Sequence, residues 1–314
     1  VNTQPIIQLQ GLSKTFGTGR KTVQAVRDLN LEIRPGQVYG FLGRNGAGKT
    51  TTIRLLLGLV RPSRGSARID GRETRDNPRV LRRVGSLVED PCFYPFLSGR
   101  DNLLALARTA GSRPGEEIAG LLSQVGLSGR SASLAAGYSK GMRQRLGIAA
   151  ALLGDPDLVI LDEPTNGLDP GGILEIRQFI RRLVDQRGKT VFLSSHLLSE
   201  VEQICDRVAI IHQGQITREG RVAELLASSA SSIHIQAIPA AGVLEALKPE
   251  WQGRPLPGEN PSQPPWIEIQ AAPDQAPEIV RRLAAAGIDL HQVRVQQLSL
   301  EEFFLQTTGE ECDD

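Results

Sequence analysis

Gly43-Arg44-Asn45-Gly46-Ala47-Gly48-Lys49-Thr50 decides the reading of this chain. The run Val38-Tyr39-Gly40-Phe41-Leu42 before it is apolar enough to be a buried strand. After it, Thr50–Val60 reads as a helix, with Ile53, Leu55, Leu56 and Leu59 on one side. A glycine-rich turn between a buried strand and a helix is a phosphate cradle. Glycines remove Cβ atoms, so backbone N–H groups turn inward and approach phosphate oxygens. The start of the helix adds about half a unit of positive charge. In that setting Lys49 is expected to bridge the β- and γ-phosphates of a nucleoside triphosphate, and the Thr50 hydroxyl to ligate Mg²⁺.

Three further segments follow in a fixed order. Leu158–Leu161 is a short apolar strand ending in Asp162-Glu163. It delivers two carboxylates to the end of a sheet, where open α/β sheets bind ligands. Alone this is a common acidic strand end; with the glycine loop, Asp162 is expected to hold magnesium through water and Glu163 to polarise the attacking water. Thr190-Val191-Phe192-Leu193-Ser194-Ser195 is a second strand, terminated by His196 in a Ser-Ser-His-x-x-x-Glu setting. Tyr138-Ser139-Lys140-Gly141-Met142 leads directly into a helical run, where a serine and a glycine can present a hydroxyl and backbone N–H groups to a phosphate.

Strands alternate with helices over the first two thirds of the chain, which predicts a mainly parallel sheet covered on both faces. Short strands are expected at residues 6–10 and 31–42, broken by a turn at Arg34-Pro35-Gly36-Gln37. Residues 97–153 are rich in helix formers, and Ser98 with Asp101 resembles a capping start for a helix over Asn102–Thr109. A helix over Gly172–Gln186 follows from Ile173, Ile176, Ile180 and Leu183. The expected division is an ATPase-type domain over 1–226, a Ser/Ala-rich linker at 227–232, a small α+β domain over 233–308 and an acidic tail at 309–314. Within the small domain the pattern reads strand 233–238, helix 241–247, Pro-rich loop 249–265, strand 266–270, helix 275–286, strand 289–296 and helix 300–306, the last opened by Ser299 and Glu302 at capping-box spacing. It carries no second glycine loop.

The order of the four segments resembles the ATP-binding subunits of ABC transporters, over roughly Pro5 to Val222. That resemblance implies an α/β P-loop ATPase core with an antiparallel β subdomain and a helical subdomain at about 97–153. It also implies ATP and Mg²⁺ as the molecules bound. Gly43, Asn45, Gly46, Ala47, Gly48, Lys49, Thr50 and Thr51 would hold the nucleotide, and Phe16, in Ser13-Lys14-Thr15-Phe16-Gly17, would stack on adenine; an ordinary core Phe before a turn is the competing reading of Phe16. His196 would brace the attacking water beside the γ-phosphate. Ser139 and Gly141 would reach the nucleotide of a second copy of the chain, so that two copies, head to tail, sandwich two ATP, with Asn166-Gly167-Leu168-Asp169 crossing between them.

Two departures stand out. Lys140 and Met142 replace a Gly and a Gln of the usual Leu-Ser-Gly-Gly-Gln signature, and Glu89 stands where a magnesium-contacting Gln is usual. A carboxylate at 89 can still ligate Mg²⁺. Leu87-Val88-Glu89, with Phe93-Tyr94-Pro95-Phe96-Leu97-Ser98-Gly99-Arg100, is similar to the bacitracin-resistance and lantibiotic-immunity branch, and the Leu298–Phe304 ending resembles those of ABC-2-type export ATPases. The resemblance therefore implies export of a drug or peptide antibiotic through a separate membrane permease, with the chain held at the inner face of the membrane.

Composition bounds the alternatives. In 314 residues the formal net charge is +1, which gives no support for a general nucleic-acid binder. The three cysteines are widely spaced and show no metal-ligand pattern, as suits a reduced compartment. No run of about 18 apolar residues is present, so no membrane span is expected, and no secretory signal is visible at the start. An ABC ATPase acting on chromosomes or ribosomes is the alternative; the interval from Thr50 to Ser139 leaves no room for a long coiled coil, and there is one cassette, not two. A nucleotide-binding regulator without turnover is disfavoured by Glu163 and His196, both suited to hydrolysis.

Overall fold

The computed structural model describes residues 4–17, 21–110, 116–228, 232–256 and 265–296. The chain divides into two compact units, Val1–Val222 and Ala223–Asp314.

The first unit opens with two long antiparallel strands, β1 (Ile7–Phe16) and β2 (Val23–Ile33). The buried strand β3 (Val38–Leu42) then feeds the glycine loop and α1 (Lys49–Leu56). Strands β4 (Arg64–Ile69) and β5 (Arg72–Glu73) complete an antiparallel sheet of order β2-β1-β4-β5. After β6 (Val84–Leu87) come three helices, α2 (Gly99–Ala110), α3 (Glu116–Gln124) and α4 (Lys140–Ala151), where the helical subdomain is expected. The chain returns through β7 (Leu158–Asp162), α5 (Pro170–Asp185), β8 (Thr190–Ser195), α6 (Leu198–Ile204), β9 (Arg207–His212), β10 (Gln215–Arg221) and α7 (Val222–Ser228). The second sheet runs β10-β9-β3-β8-β7-β6, parallel except for the β9–β10 hairpin. Every residue of β3, β7 and β8 is buried, which explains their continuous apolar runs.

Several boundaries differ from the sequence reading. The helix expected over Thr50–Val60 stops at Leu56. Gly58, at φ 69°, turns the chain, with Leu59 N donating to Arg54 O at 2.9 Å and Gly58 N to Leu55 O at 3.1 Å, the paired bonds of a Schellman turn. The helix expected from Asn102 starts at Gly99 instead: Ser98 Oγ accepts from Asp101 N at 3.0 Å and donates to Asp101 Oδ2 at 2.6 Å, so the cap acts three residues earlier. Strands β9 and β10 lie in a stretch the sequence reading left without elements.

The second unit contains β11 (Ser232–Ile238), α8 (Ala240–Leu247), β12 (Gln252–Pro255), β13 (Trp266–Gln270), α9 (Ala276–Ala285) and β14 (Asp289–Gln296). The Pro-rich loop expected over 249–265 therefore contains a strand. β12 is an edge strand, where Pro255 leaves no ladder donor unpaired. With β12 in place the unit is β-α-β-β-α-β, and its antiparallel order β12-β13-β11-β14 is the split β-α-β, ferredoxin-like arrangement. Ile233, Ile235, Ile267 and Ile269 pack against Val243, Leu247, Ile279 and Leu283 of the two helices. Around the expected 227–232 linker, α7 runs to Ser228 and β11 begins at Ser232. The helix expected at 300–306, its Ser299–Glu302 cap and the acidic tail lie outside the described residues.

Candidate functional site

Sheet order assembles the site. β3, β8 and β7 are adjacent and parallel, with Leu42 level with Ser195 and Asp162 level with Ser194. The residues just past their carboxyl ends are Gly43, His196 and Glu163. One strand further out, Leu87 of β6 is level with Leu161, and Glu89 follows two residues later. Residues far apart in the chain thus meet at one sheet edge.

At the loop itself, Gly48 caps α1 at φ 110°, and a Cβ there would lie 2.5 Å from Ala25 O. Only glycine fits that closeness and that backbone. Arg44, Asn45 and Gly46 are exposed at the tip, whereas Ala47, Gly48 and Lys49 are buried. The Lys49 ammonium, 5% exposed, donates to Gly43 O at 2.5 Å and Arg44 O at 3.2 Å and stands 3.2 Å from Glu163 Oε1. His196 Nδ1 lies 2.5 Å from the other carboxylate oxygen, Oε2. Glu163 is therefore held between two nitrogen groups.

Glu163 sits at φ 50°, a left-handed conformation that costs a non-glycine residue about 1 kcal/mol or more. Its surroundings hold it there. Glu163 N donates to Ser194 Oγ at 3.0 Å, Asn166 N to Glu163 O at 3.1 Å, and buried Gln144 Nε2 to Pro164 O at 3.1 Å. The same Ser194 hydroxyl donates to Asp162 Oδ1 at 2.5 Å. One hydroxyl thus fixes both neighbouring acidic residues. A second tie joins the segment after Glu163 to the helix after His196: Thr165 Oγ1 donates to buried Glu200 Oε2 at 2.5 Å.

Thr50, Glu89, Asp90, Gln144, Asp162, Glu163 and Asn166 line one cleft of about 220 Å³. The three candidate metal residues, Thr50, Asp162 and Glu89, are brought together. Their donors are hard oxygens, which fit Mg²⁺. Among the described residues no three His, Cys, Asp or Glu side chains form a ready-made cage.

Ser139 and Gly141 lie elsewhere. They line a separate cleft of about 240 Å³ with Arg130, Arg145, Leu168 and Asp169. Ser139 caps α4, its Oγ accepting from Met142 N at 3.2 Å. The N–H groups of Lys140 and Gly141 have no partner within the helix. Tyr138 anchors the segment by donating to Arg130 O at 2.6 Å; burial pushes its phenol up, which keeps the donor protonated. The Lys140 side chain folds over Gly167 of its own chain, where a Cβ would lie 2.6 Å from Nζ. Phe16 ends β1 and is 41% exposed, with Lys14 Nζ 4.9 Å from its ring centre, so it is not a core residue. Ser194, Gln144, Thr165 and Glu200 had no assigned part in the sequence reading. Glu200 had a visible signal, its fixed place four residues after His196.

The sequence pattern of the ABC transporter family matches residues 26–166. The bacitracin transport ATP-binding protein BcrA of Bacillus licheniformis is 39% identical over 97% of this chain and 97% of its own length. This chain belongs to the ATP-binding proteins of ABC transporters. The daunorubicin/doxorubicin resistance ATP-binding protein DrrA of Streptomyces peucetius is 36% identical over the whole chain and 96% of that protein. The dimeric structure of MJ0796, a bacterial ABC transporter cassette, matches with TM-score 0.64 and 26% identity over 69% of this chain and 98% of that one. As an ABC ATPase the protein binds and hydrolyses ATP, and it is related to drug-resistance exporters. ABC ATPases use Mg²⁺ with ATP, form dimers and typically pair with a permease.

Proposed function

We propose that this ABC ATPase powers export of a drug, a peptide antibiotic or a similar amphipathic substrate through a separate permease, as a pair of copies enclosing two ATP. Relatedness to BcrA and DrrA supports the cargo class. No helix among the described residues is long and apolar enough to cross a membrane, so the pathway is assigned to another polypeptide at whose inner face this chain sits. We assign ATP turnover to residues 1–226 and treat 233–308 as an accessory domain.

The observation that carries the reading is the convergence of Lys49 and His196 on Glu163, beside Thr50 and Asp162. Gly43, Asn45, Gly46, Ala47, Gly48 and Thr51 cradle the phosphates by their backbone N–H groups, and Phe16 supports the adenine. Thr50, Asp162 and Glu89 would hold Mg²⁺, which neutralises charge on the β- and γ-phosphates when bound. Glu163 accepts the proton of the water that attacks the γ-phosphorus, and His196 holds that carboxylate and the water in line. Lys49 stabilises charge on the phosphate oxygens. Ser139 and the N–H groups of Lys140 and Gly141 complete the site of the opposite copy, a role supported by Ser139 and Gly141 lining a different cleft from Thr50, Asp162 and Glu163 within one chain.

Glu163→Gln is the test. It keeps the shape and removes the base. ATP hydrolysis is expected to fall at least about 100-fold with ATP binding retained. Undiminished turnover would remove Glu163 from the role.

A further inference from the structure

The metal cleft carries an excess of negative charge before any phosphate enters it. Four carboxylates line it: Glu89, Asp90, Asp162 and Glu163. Glu163 is matched by Lys49 at 3.2 Å, and Asp162 by the Ser194 hydroxyl. Glu89 has a cation of its own. Arg54 Nη2 donates to Glu89 Oε1 in an ion pair between α1 and the segment after β6. Both ends of this pair are held by backbone. Arg54 lies one turn beyond Thr50, on the same side of α1, and its carbonyl closes the Schellman turn at Gly58. Glu89 stands at φ 63°, a backbone setting that fixes where its side chain departs.

An ion pair 37% and 59% exposed at its two ends adds little to folding stability. Its consequence lies with the ligand. A free carboxylate at 89 would repel the phosphates of an entering nucleotide, and the Arg54 guanidinium cancels that charge. We propose that Arg54 is a positioning residue of the nucleotide site: it pairs with Glu89, so that the two together present the cleft with a neutral polar group in place of a further uncompensated anion. Glu89 is then available to Mg²⁺ without opposing nucleotide entry. The inference rests on the assignment of the cleft to ATP and Mg²⁺.

The test is a double-mutant cycle read by calorimetric ATP binding, at low ionic strength, with EDTA and again with excess Mg²⁺. Arg54→Met is expected to weaken metal-free binding about tenfold, the effect of one uncompensated charge near a polyphosphate. With Mg²⁺ present the loss shrinks, because the freed carboxylate gains a cation. Arg54→Lys restores most of the metal-free affinity. In a Glu89→Gln background Arg54→Met changes metal-free binding less than about twofold. A fold loosened by the substitution would instead weaken binding with and without metal alike. That result, an equal loss in the Glu89→Gln background, or no loss at all would overturn the proposal. Lys49→Ala is run alongside: if it binds ATP as the parent does, the assignment of the cleft fails, a different outcome from failure of the Arg54 role.

Discussion

Ser194 shows how much a single hydroxyl carries here. It accepts from Glu163 N and donates to Asp162 Oδ1, so the Asp162 side chain and the Glu163 backbone are both held by a residue of the neighbouring strand. Removing the hydroxyl leaves Asp162 free to rotate and loses one support of the left-handed Glu163. Ser194→Ala is expected to raise the Mg²⁺ concentration giving half-maximal ATPase activity by about tenfold, as losses of outer hydrogen bonds to metal ligands do. A magnesium titration of the purified variant checks this, and an unchanged midpoint would show that Asp162 does not depend on Ser194. The acidic pair was legible from its place at the end of an apolar strand. Ser194 was not, because its part arises from the register of β7 and β8, which puts residues 32 apart in sequence side by side. The same holds for Arg54, an unremarkable helix residue until β6 places Glu89 against it. Lys140 is a comparable case: the sequence marks it as a departure, and the fold lays its side chain over Gly167.

At the scale of elements, buried continuous strands were the readable part. β3, β7 and β8 are buried throughout, and Tyr39, Phe41, Ile160 and Phe192 share one core with Leu9, Leu29 and Ile53. Helix ends were less readable, since they depend on which backbone groups find partners. At α1 the apolar side continues past Leu56 to Leu59, yet Gly58 turns the chain and Leu59 is left exposed. Gly58→Ala puts a Cβ on a backbone at φ 69° and is expected to cost about 1 kcal/mol, seen as a lower urea midpoint with an unchanged slope. No shift would mean that the turn relaxes freely. The edge strand β12 was hidden by its proline, Pro255, and by burial so slight that all four residues are exposed. Without it the β-α-β-β-α-β pattern of the second unit could not be recognised.

For the molecule as a whole, the two units follow different logic. The second closes its own core, mostly isoleucines and leucines with Val243, between one sheet and two helices. The first divides the residues assigned to phosphate under the proposed function between two separate clefts. One holds Thr50, Asp162 and Glu163, the other Ser139 and Gly141. Under the proposed function, a nucleotide bound beside Thr50 and Glu163 meets Ser139 from a second copy of the chain. A two-fold head-to-tail pair has one self-complementary interface, which under the proposed function would enclose two equivalent nucleotide sites. The most direct measurement is sedimentation of Glu163→Gln with ATP and Mg²⁺, compared with Glu163→Gln carrying Ser139→Arg. The first is expected to sediment as a dimer with two ATP bound, the second as a monomer that still binds one. A dimer in both, or a monomer in both with ATP firmly held, would contradict a nucleotide shared between two chains.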